Sequence, residues 1–391
     1  MFAVFRLLRK ITTPALLVLA MGILAACDLA LPGGGGPTIN PSKPVPVALL
    51  VPRGSAQSGD AILAQSLENA ARLAISDLDG VQIDLRVYDT AGSAATAATV
   101  ATQAVDDGAQ IILGPVYAEA ANAAGLAVRG RNVNVLAFSN NAGIAGGNVF
   151  VLGPTFENTA RRLSRYAGAQ GKRNILVVHG TDVAGELGRA AIAKSLGGSG
   201  AKLAGTVSYD LSQQSVVAAV PQVRASAASS GADAVFFTAT TAGALPLFTQ
   251  LLPEAGLSPS DIQFMGLTRW DIPAATLELP GVQGGWFALP DPGLTQQFRS
   301  RYSATYGGAP HPIGGLAYDG IAAIGALVGA GRSDALSGGA LTQGAGFQGV
   351  GGIFRLRADG SNERGLAVAT IRNKQVVVID PAPRSFSGAG S

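Results

Sequence analysis

The sequence is poor in the residues that build chemical sites. Among 391 residues there is one cysteine and there are two histidines. One cysteine cannot pair within the chain, so a disulfide scaffold is excluded. The same count removes a cysteine-rich zinc or iron–sulfur centre, and two histidines cannot supply a three-histidine metal site. Charged residues make up 14% of the chain and hydrophobic residues 48%, the reverse of a disordered composition. No H-E-x-x-H or G-x-S-x-G segment occurs, which removes a zinc-protease helix and a hydrolase nucleophile elbow. No catalytic constellation, metal site or cofactor site is expected. The length suits two or three core-forming units.

What is present begins with an address. Arg6, Arg9 and Lys10 precede an uncharged apolar run from Ile11 to Ala26. That run is short of the ~20 residues a spanning helix needs. A basic head, an apolar middle and small residues at the end make a secretory signal. Leu24-Ala25-Ala26-Cys27 resembles the bacterial lipobox, in which the cysteine is lipidated and becomes the first mature residue. The lone cysteine of the chain stands at that position, so Cys27 is the expected lipid attachment point and a bacterial membrane the expected anchor, with the folded part facing the periplasm. Asp28 resembles the inner-membrane retention signal of enterobacterial lipoproteins, a rule many bacteria do not follow. The formal net charge of +3 is carried by the three leader cations, so the mature chain is neutral and no nucleic-acid partner is expected. Residues 28–44 are rich in glycine and proline and read as a flexible tether.

Beyond the tether, strand and helix patterns alternate. Apolar strand-like runs occupy 45–51, 83–88, 111–113 and 133–138, separated by helical patterns over 61–78, 93–105 and 118–128. A second series follows, with strands at 175–178, 203–209, 234–238 and 262–267 and helices between them. Helical patterns recur at 294–306 and 313–328. Strands at 352–356, 367–371 and 375–379 close the chain, with Arg372-Asn373-Lys374 as a hairpin tip. Two such series predict an α/β fold of two Rossmann-like lobes with parallel sheets.

Phosphate motifs fail on context. Gly168 to Lys172 is too short for a P-loop, and Gly344, Gly346 and Gly349 have no strand before them and no helix after them. Ligands of open α/β sheets bind outside the carboxyl ends of the strands. Those positions carry Ser55, Tyr117, Ser139, Asn140, Asn141, His179, Thr240, Arg269 and Trp270. This mixture of hydroxyls, amides, an arginine and aromatics suits a small polar molecule held by hydrogen bonds and stacking. Ordinary turn roles are the alternative for each, and interlobe packing for Trp270. His311, between two prolines, reads as a loop histidine.

Several segments resemble the leucine-binding-protein-like type I periplasmic binding proteins. They are the opening VALLVPRGS, Ala109 to Val116, Val135 to Ser139 and Ala317-Tyr318-Asp319-Gly320. Gly346 to Phe354 with Asp359, Gly360 and Arg364 completes the set, and the likeness runs from about Val45 to Ile379. The resemblance implies two lobes joined by three crossovers, expected near 143–150, 267–271 and 340–347. The first lobe is then about 45–145 plus 270–340, the second about 148–267 plus 345–380, and 381–391 a tail. Where amino-acid binders carry a hydroxyl pair, Tyr117, Ala118 and Glu119 stand here. Leu113-Gly114-Pro115 and Leu136 to Asn141 resemble the penicillin-binding-protein activator lipoproteins, which implies a non-catalytic protein acting on a peptidoglycan synthase. The alternative is the solute-binding component of an ABC importer, partnered by a permease, for an amino acid, amide or short peptide.

Overall fold

The computed structural model describes residues 35–386; the signal segment, Cys27 and the first part of the tether lie outside the described residues. Among the described residues fifteen strands run in chain order. They are β1 Val45–Val51, β2 Ile83–Asp89, β3 Ile111–Leu113, β4 Asn134–Ala137, β5 Val149–Val151, β6 Asn174–Gly180, β7 Lys202–Tyr209 and β8 Ala234–Phe237. β9 Gln263–Gly266, β10 Trp286–Leu289, β11 Phe347–Gly349, β12 Gly352–Leu356, β13 Asn362–Arg364, β14 Ala367–Arg372 and β15 Gln375–Asp380 follow. The helices are α1 Asp60–Ser76, α2 Ala94–Asp106, α3 Ala118–Val128, α4 Phe156–Ala169 and α5 Val183–Leu196. After them come α6 Gln213–Ser230, α7 Leu245–Glu254, α8 Pro292–Tyr306, α9 Gly315–Gly329 and the single turn α10 Gly338–Leu341.

Twelve of these strands form two α/β sheets, as the alternation predicts. The first has the order β2-β1-β3-β4-β5 and is wholly parallel. The second has the order β15-β14-β10-β9-β8-β6-β7, parallel except at β14 and β15. Both sheets are covered on two faces, so their central strands are apolar throughout rather than alternating. β1, β4 and β8 are almost entirely buried. The β14–β15 hairpin turns at Asn373 and Lys374, both with positive φ.

Two crossovers fall elsewhere than the sequence suggests. β10 pairs in parallel with β9, Trp286 opposite Met265, and antiparallel with β14. Residues up to Leu289 therefore complete the second sheet, and the chain returns to the first lobe at 290–291, not near 267–271. The three-stranded sheet β11-β12-β13 places Phe347, Phe354 and Leu356 in the first-lobe core with α1 and α9. The last crossover thus lies at 365–366, after β13. Ala288 and Val368, by contrast, join the second-lobe core.

The tether is also shorter than expected. Residues 35–44 lie on the first lobe. The Asn132 and Asn134 amides donate to the carbonyls of Gly36 and Gly35 at 2.8 and 3.0 Å. Ile39 donates its N–H to the Ser333 carbonyl at 2.8 Å and is 4% exposed. A Cβ at Gly36 would collide with the Ser337 backbone. Glycine here lets one backbone lie against another, which composition alone reads as flexibility.

Candidate functional site

The carboxyl ends of β1, β3 and β4 in one sheet and of β6, β8 and β9 in the other carry the loops that were expected to bind. At β3, Gly114 has φ +84, and a Cβ there would meet the Leu50 carbonyl. Only glycine lets the chain turn so tightly against β1. Tyr117 stands next, just before α3, and donates its hydroxyl to Asp60 Oδ1 at 2.5 Å. Asp60 opens α1, is 5% exposed, and its Oδ2 is buried without a hydrogen-bond partner. Burial and this carboxylate push the Tyr117 phenol up to about 12. Ser55 lies beside Tyr117, both flanking Gly92. The adjoining Arg53 is not free for an anionic ligand, because Glu68 at 2.8 Å and Asp89 at 3.2 Å hold its guanidinium.

Most of the other expected residues serve their own turns. Ser139 is buried, and its hydroxyl accepts the Asn141 N–H at 3.1 Å. Asn141 in turn caps the next turn, accepting from Gly143 N at 2.8 Å. Asn140 is exposed, and Thr240 is exposed with its carbonyl closing the turn before α7. His179 is buried with Nδ1 at 3.1 Å from the Gly180 carbonyl and 3.4 Å from Glu186. Trp270 is the clear correction. It is fully buried in the second-lobe core, its indole against Gly266 and Gly285 at positions where any Cβ would collide with it. It cannot stack on a ligand in the cleft. Arg269 stays at the lobe boundary, paired with Asp271 through Nε at 2.9 Å.

A cavity of about 170 Å³ runs between the lobes along the crossovers. Phe298, Ile313 and Leu316 form its first-lobe wall, and Ile272, Leu366 and Arg269 its second-lobe wall. Ile272 is 49% exposed, an apolar side chain displayed at the mouth. His311 also lines the cavity. Its Nδ1 lies 3.4 Å from the Ile313 N–H, an acceptor geometry that assigns the ring proton to Nε2. Burial lowers its pKa, partly offset by the charge of Asp60, which favours the neutral ring at pH 7. The sequence passed over His311 because flanking prolines mark a loop and not a wall.

The floor of this cavity is an ion pair. Asp319 on α9 is 1% exposed and meets Arg364 of β13 at 3.0 Å. Asp319 also accepts the Val350 N–H at 2.8 Å. Arg364 donates on to the Leu152 carbonyl at the first crossover. Burial pushes the Asp319 carboxyl up, and Arg364 with the Val350 N–H opposes that shift. One buried pair thus ties α9 to two of the three crossover strands. Both residues belong to the segments that carry the family resemblance. Among the described residues no group of three His, Cys, Asp or Glu side chains could hold a metal ion, and no helix is long and apolar enough to cross a membrane.

The sequence model of the family described as periplasmic binding protein matches residues 44–375. The chain is a periplasmic binding protein. Its fold is that of type I binding proteins. A putative branched-chain amino acid ABC transporter protein of Rhodospirillum rubrum superposes with a TM-score of 0.73 at 19% identity, over 86% of this chain and all of that one. An ABC transporter substrate-binding protein of Desulfitobacterium hafniense, solved with Leu, gives 0.62 at 16% identity, over 86% of this chain and all of its own. A solute-binding protein of R. palustris in complex with benzoate gives 0.55 at 19% identity, over 88% and 97%. No curated protein matches the sequence. Identities this low speak for the fold, so the binding residues of this periplasmic binding protein have to be read from its own cleft.

Proposed function

We propose that this protein is the solute-binding component of an ABC importer. Its ligand is a small molecule with an apolar body and one polar end, such as an apolar amino acid or a small aromatic or aliphatic carboxylate. The observation that carries the reading is the interlobe cavity. Phe298, Ile313 and Ile272 offer apolar surface from both lobes, while the His311 Nε2–H offers a donor for a carboxylate and Arg269, held by Asp271, lines the second-lobe side. A ligand there touches both lobes and favours closure about the crossover strands. Cys27, lipidated, would hold the protein at a membrane facing the periplasm, and the docking partner is a permease. The two structures that were solved with Leu and with benzoate are in keeping with this ligand class.

The similar structures are ABC transporter substrate-binding proteins, which favours this reading over action on a peptidoglycan synthase. The likeness to synthase activators rested on Leu113-Gly114-Pro115 and Leu136 to Asn141. Gly114 answers to the Leu50 backbone, and Ser139 and Asn141 cap their own turns.

Thermal unfolding against a panel of amino acids and small carboxylates tests the proposal. A ligand at 100 times its Kd stabilises the folded chain by ~2.7 kcal/mol. The expected result is a raised midpoint for an apolar member of the panel, lost in Ile272→Asp. A panel without any shift, or a shift unchanged in that variant, overturns it.

A further inference from the structure

β13 has a second face. Glu363 precedes Arg364, and successive side chains of a strand point to opposite sides. On the side away from Asp319, Glu363 accepts from Arg355 at 2.9 and 2.7 Å and from Arg357 at 2.6 Å. Arg161 of α4 stands 3.6 Å off. One carboxylate, 10% exposed, therefore faces three guanidinium groups. Arg165 lies one helical turn beyond Arg161 on the same face of α4 and is exposed. Other carboxylates nearby are engaged: Glu157 with Lys194 at 2.8 Å, Asp380 with Arg162 at 2.7 Å, and Asp359 with the Ser361 N–H and hydroxyl.

The positive charge is left with unanswered donors. Arg161 Nη1 and Arg357 Nε are buried and make no hydrogen bond. Buried donors are nearly always satisfied, and a charged one left unmet costs more than a neutral one. Burial and the charge of Arg357 lower the Arg161 pKa, as for a cation short of a counter-charge. Two cavities of about 200 and 300 Å³ open here and share Arg161 and Arg165. Guanidinium forks match oxyanions through paired N–H bonds.

We propose that the arginine cluster around Glu363 is an oxyanion-binding site that takes a phosphate group, free or as a phosphate monoester. The site adjoins the transported ligand's site, because its larger cavity shares Arg364 and Leu366 with the interlobe cavity, while Arg161, Arg165 and Glu363 line only the former. It also spans the lobes. Arg355 rides on β12 and Arg357 directly follows it, and Phe354 and Leu356 of that strand pack in the first-lobe core. Arg161 and Arg165 ride on α4, whose Ala160 and Leu163 pack in the second. A bound phosphate joins groups from both lobes outside the crossover.

Calorimetric titration of the full chain with inorganic phosphate and with glycerol phosphate, at constant ionic strength, tests this. Saturable binding is expected, weakened about tenfold or more in Arg161→Gln and unchanged in Arg224→Gln on the remote helix α6. Arg165→Gln, at an exposed position, repeats the test should Arg161→Gln fail to fold. Co-sedimentation with vesicles containing phosphatidic acid, whose headgroup is a phosphate monoester, separates the sources. Binding to soluble phosphates marks a free metabolite, and Arg161-dependent binding to vesicles alone marks a lipid headgroup. Absence of binding in all three arms, or equal loss in Arg161→Gln and Arg224→Gln, overturns the proposal.

Discussion

Glu363 and Arg364 are neighbours on one strand, yet they sit in opposite electrostatic surroundings. Arg364 is one cation meeting one buried carboxylate, and its remaining donors end on the Leu152 carbonyl. Glu363 is one carboxylate shared by three arginines, with two buried donors left over. The first arrangement is closed and binds structure to structure. The second is open and has capacity for another anion. A buried charge is tolerated when it is paired and bonded, so the closed side fixes the crossover and the open side attracts a partner. The difference predicts different responses to the loss of one residue.

The largest effect is expected at the closed side. Arg364→Met leaves Asp319 buried and uncompensated, which costs about 3–5 kcal/mol. Its pH dependence identifies the cause. Burial already raises the Asp319 carboxyl above its ordinary value, and without Arg364 it rises further. A carboxyl whose folded value is raised favours folding below its unfolded value, and that contribution is lost as pH rises through the folded value. Acidification therefore lets Asp319 take up its proton, and the deficit of Arg364→Met shrinks as pH falls. Urea unfolding of wild type and variant from pH 7 to pH 4 measures it. A deficit constant across that range would mean that Asp319 is not the group left stranded.

At the open side the pKa shift has the opposite direction, although the deficit again shrinks with acid. Burial alone would raise Glu363, but bonds from Arg355 and Arg357 outweigh it and hold the carboxyl below its ordinary range. A lowered carboxyl contributes stability above its unfolded value, and the contribution fades as pH falls through the folded value. Glu363→Gln should cost about 1.5–3 kcal/mol near pH 7, and the gap to wild type should close on acidification. Added phosphate should restore part of that loss, beyond the equal stabilisation that it gives wild type and Arg364→Met by binding the folded chain. Equal phosphate effects on the two variants would erase the distinction between the faces.

The sequence carried the architecture well because its signals are local. Parallel strands buried on both faces leave continuous apolar runs such as VALLV and AVFF, and amphipathic spacing marks the helices between them. What failed was set by contacts far along the chain. Trp270 sits among polar residues in sequence, and only Gly266 and Gly285 together make the slot that takes its indole inward. β10 is four residues long, and its membership depends on pairing with β9 and β14. Residues 35–44 look like linker until Asn132 and Asn134 supply donors for their carbonyls. The site was legible in part. Arg269 came from strand-end logic, and Asp319 and Arg364 lay within quoted motifs without a role. Asp60 and His311 gave no pattern, since each acts through neighbours brought in from another element.

Asp60 extends the comparison to a third buried carboxylate, served by a neutral donor. Tyr117 occupies Oδ1, and Oδ2 has no partner. With no cation in place, removal of the donor should matter least of the three. Tyr117→Phe is expected to cost about 1 kcal/mol. The phenol, pushed up to about 12, contributes to stability fully below its unfolded value near 10 and loses that contribution as pH rises through 12. Tyr209 is the other tyrosine pushed up to about 12, by burial in the second lobe and the charge of Asp182. Tyr88, Tyr166, Tyr306 and Tyr318 are raised as well, so absorbance titration of the wild type should show a group of late phenols, and Tyr117→Phe should remove one from its latest part. An unchanged late amplitude would mean that Tyr117 does not hold Asp60. The carboxylate would then be free to turn into the cleft, where it would repel the carboxylate end of the proposed ligand rather than stand behind the wall that receives it.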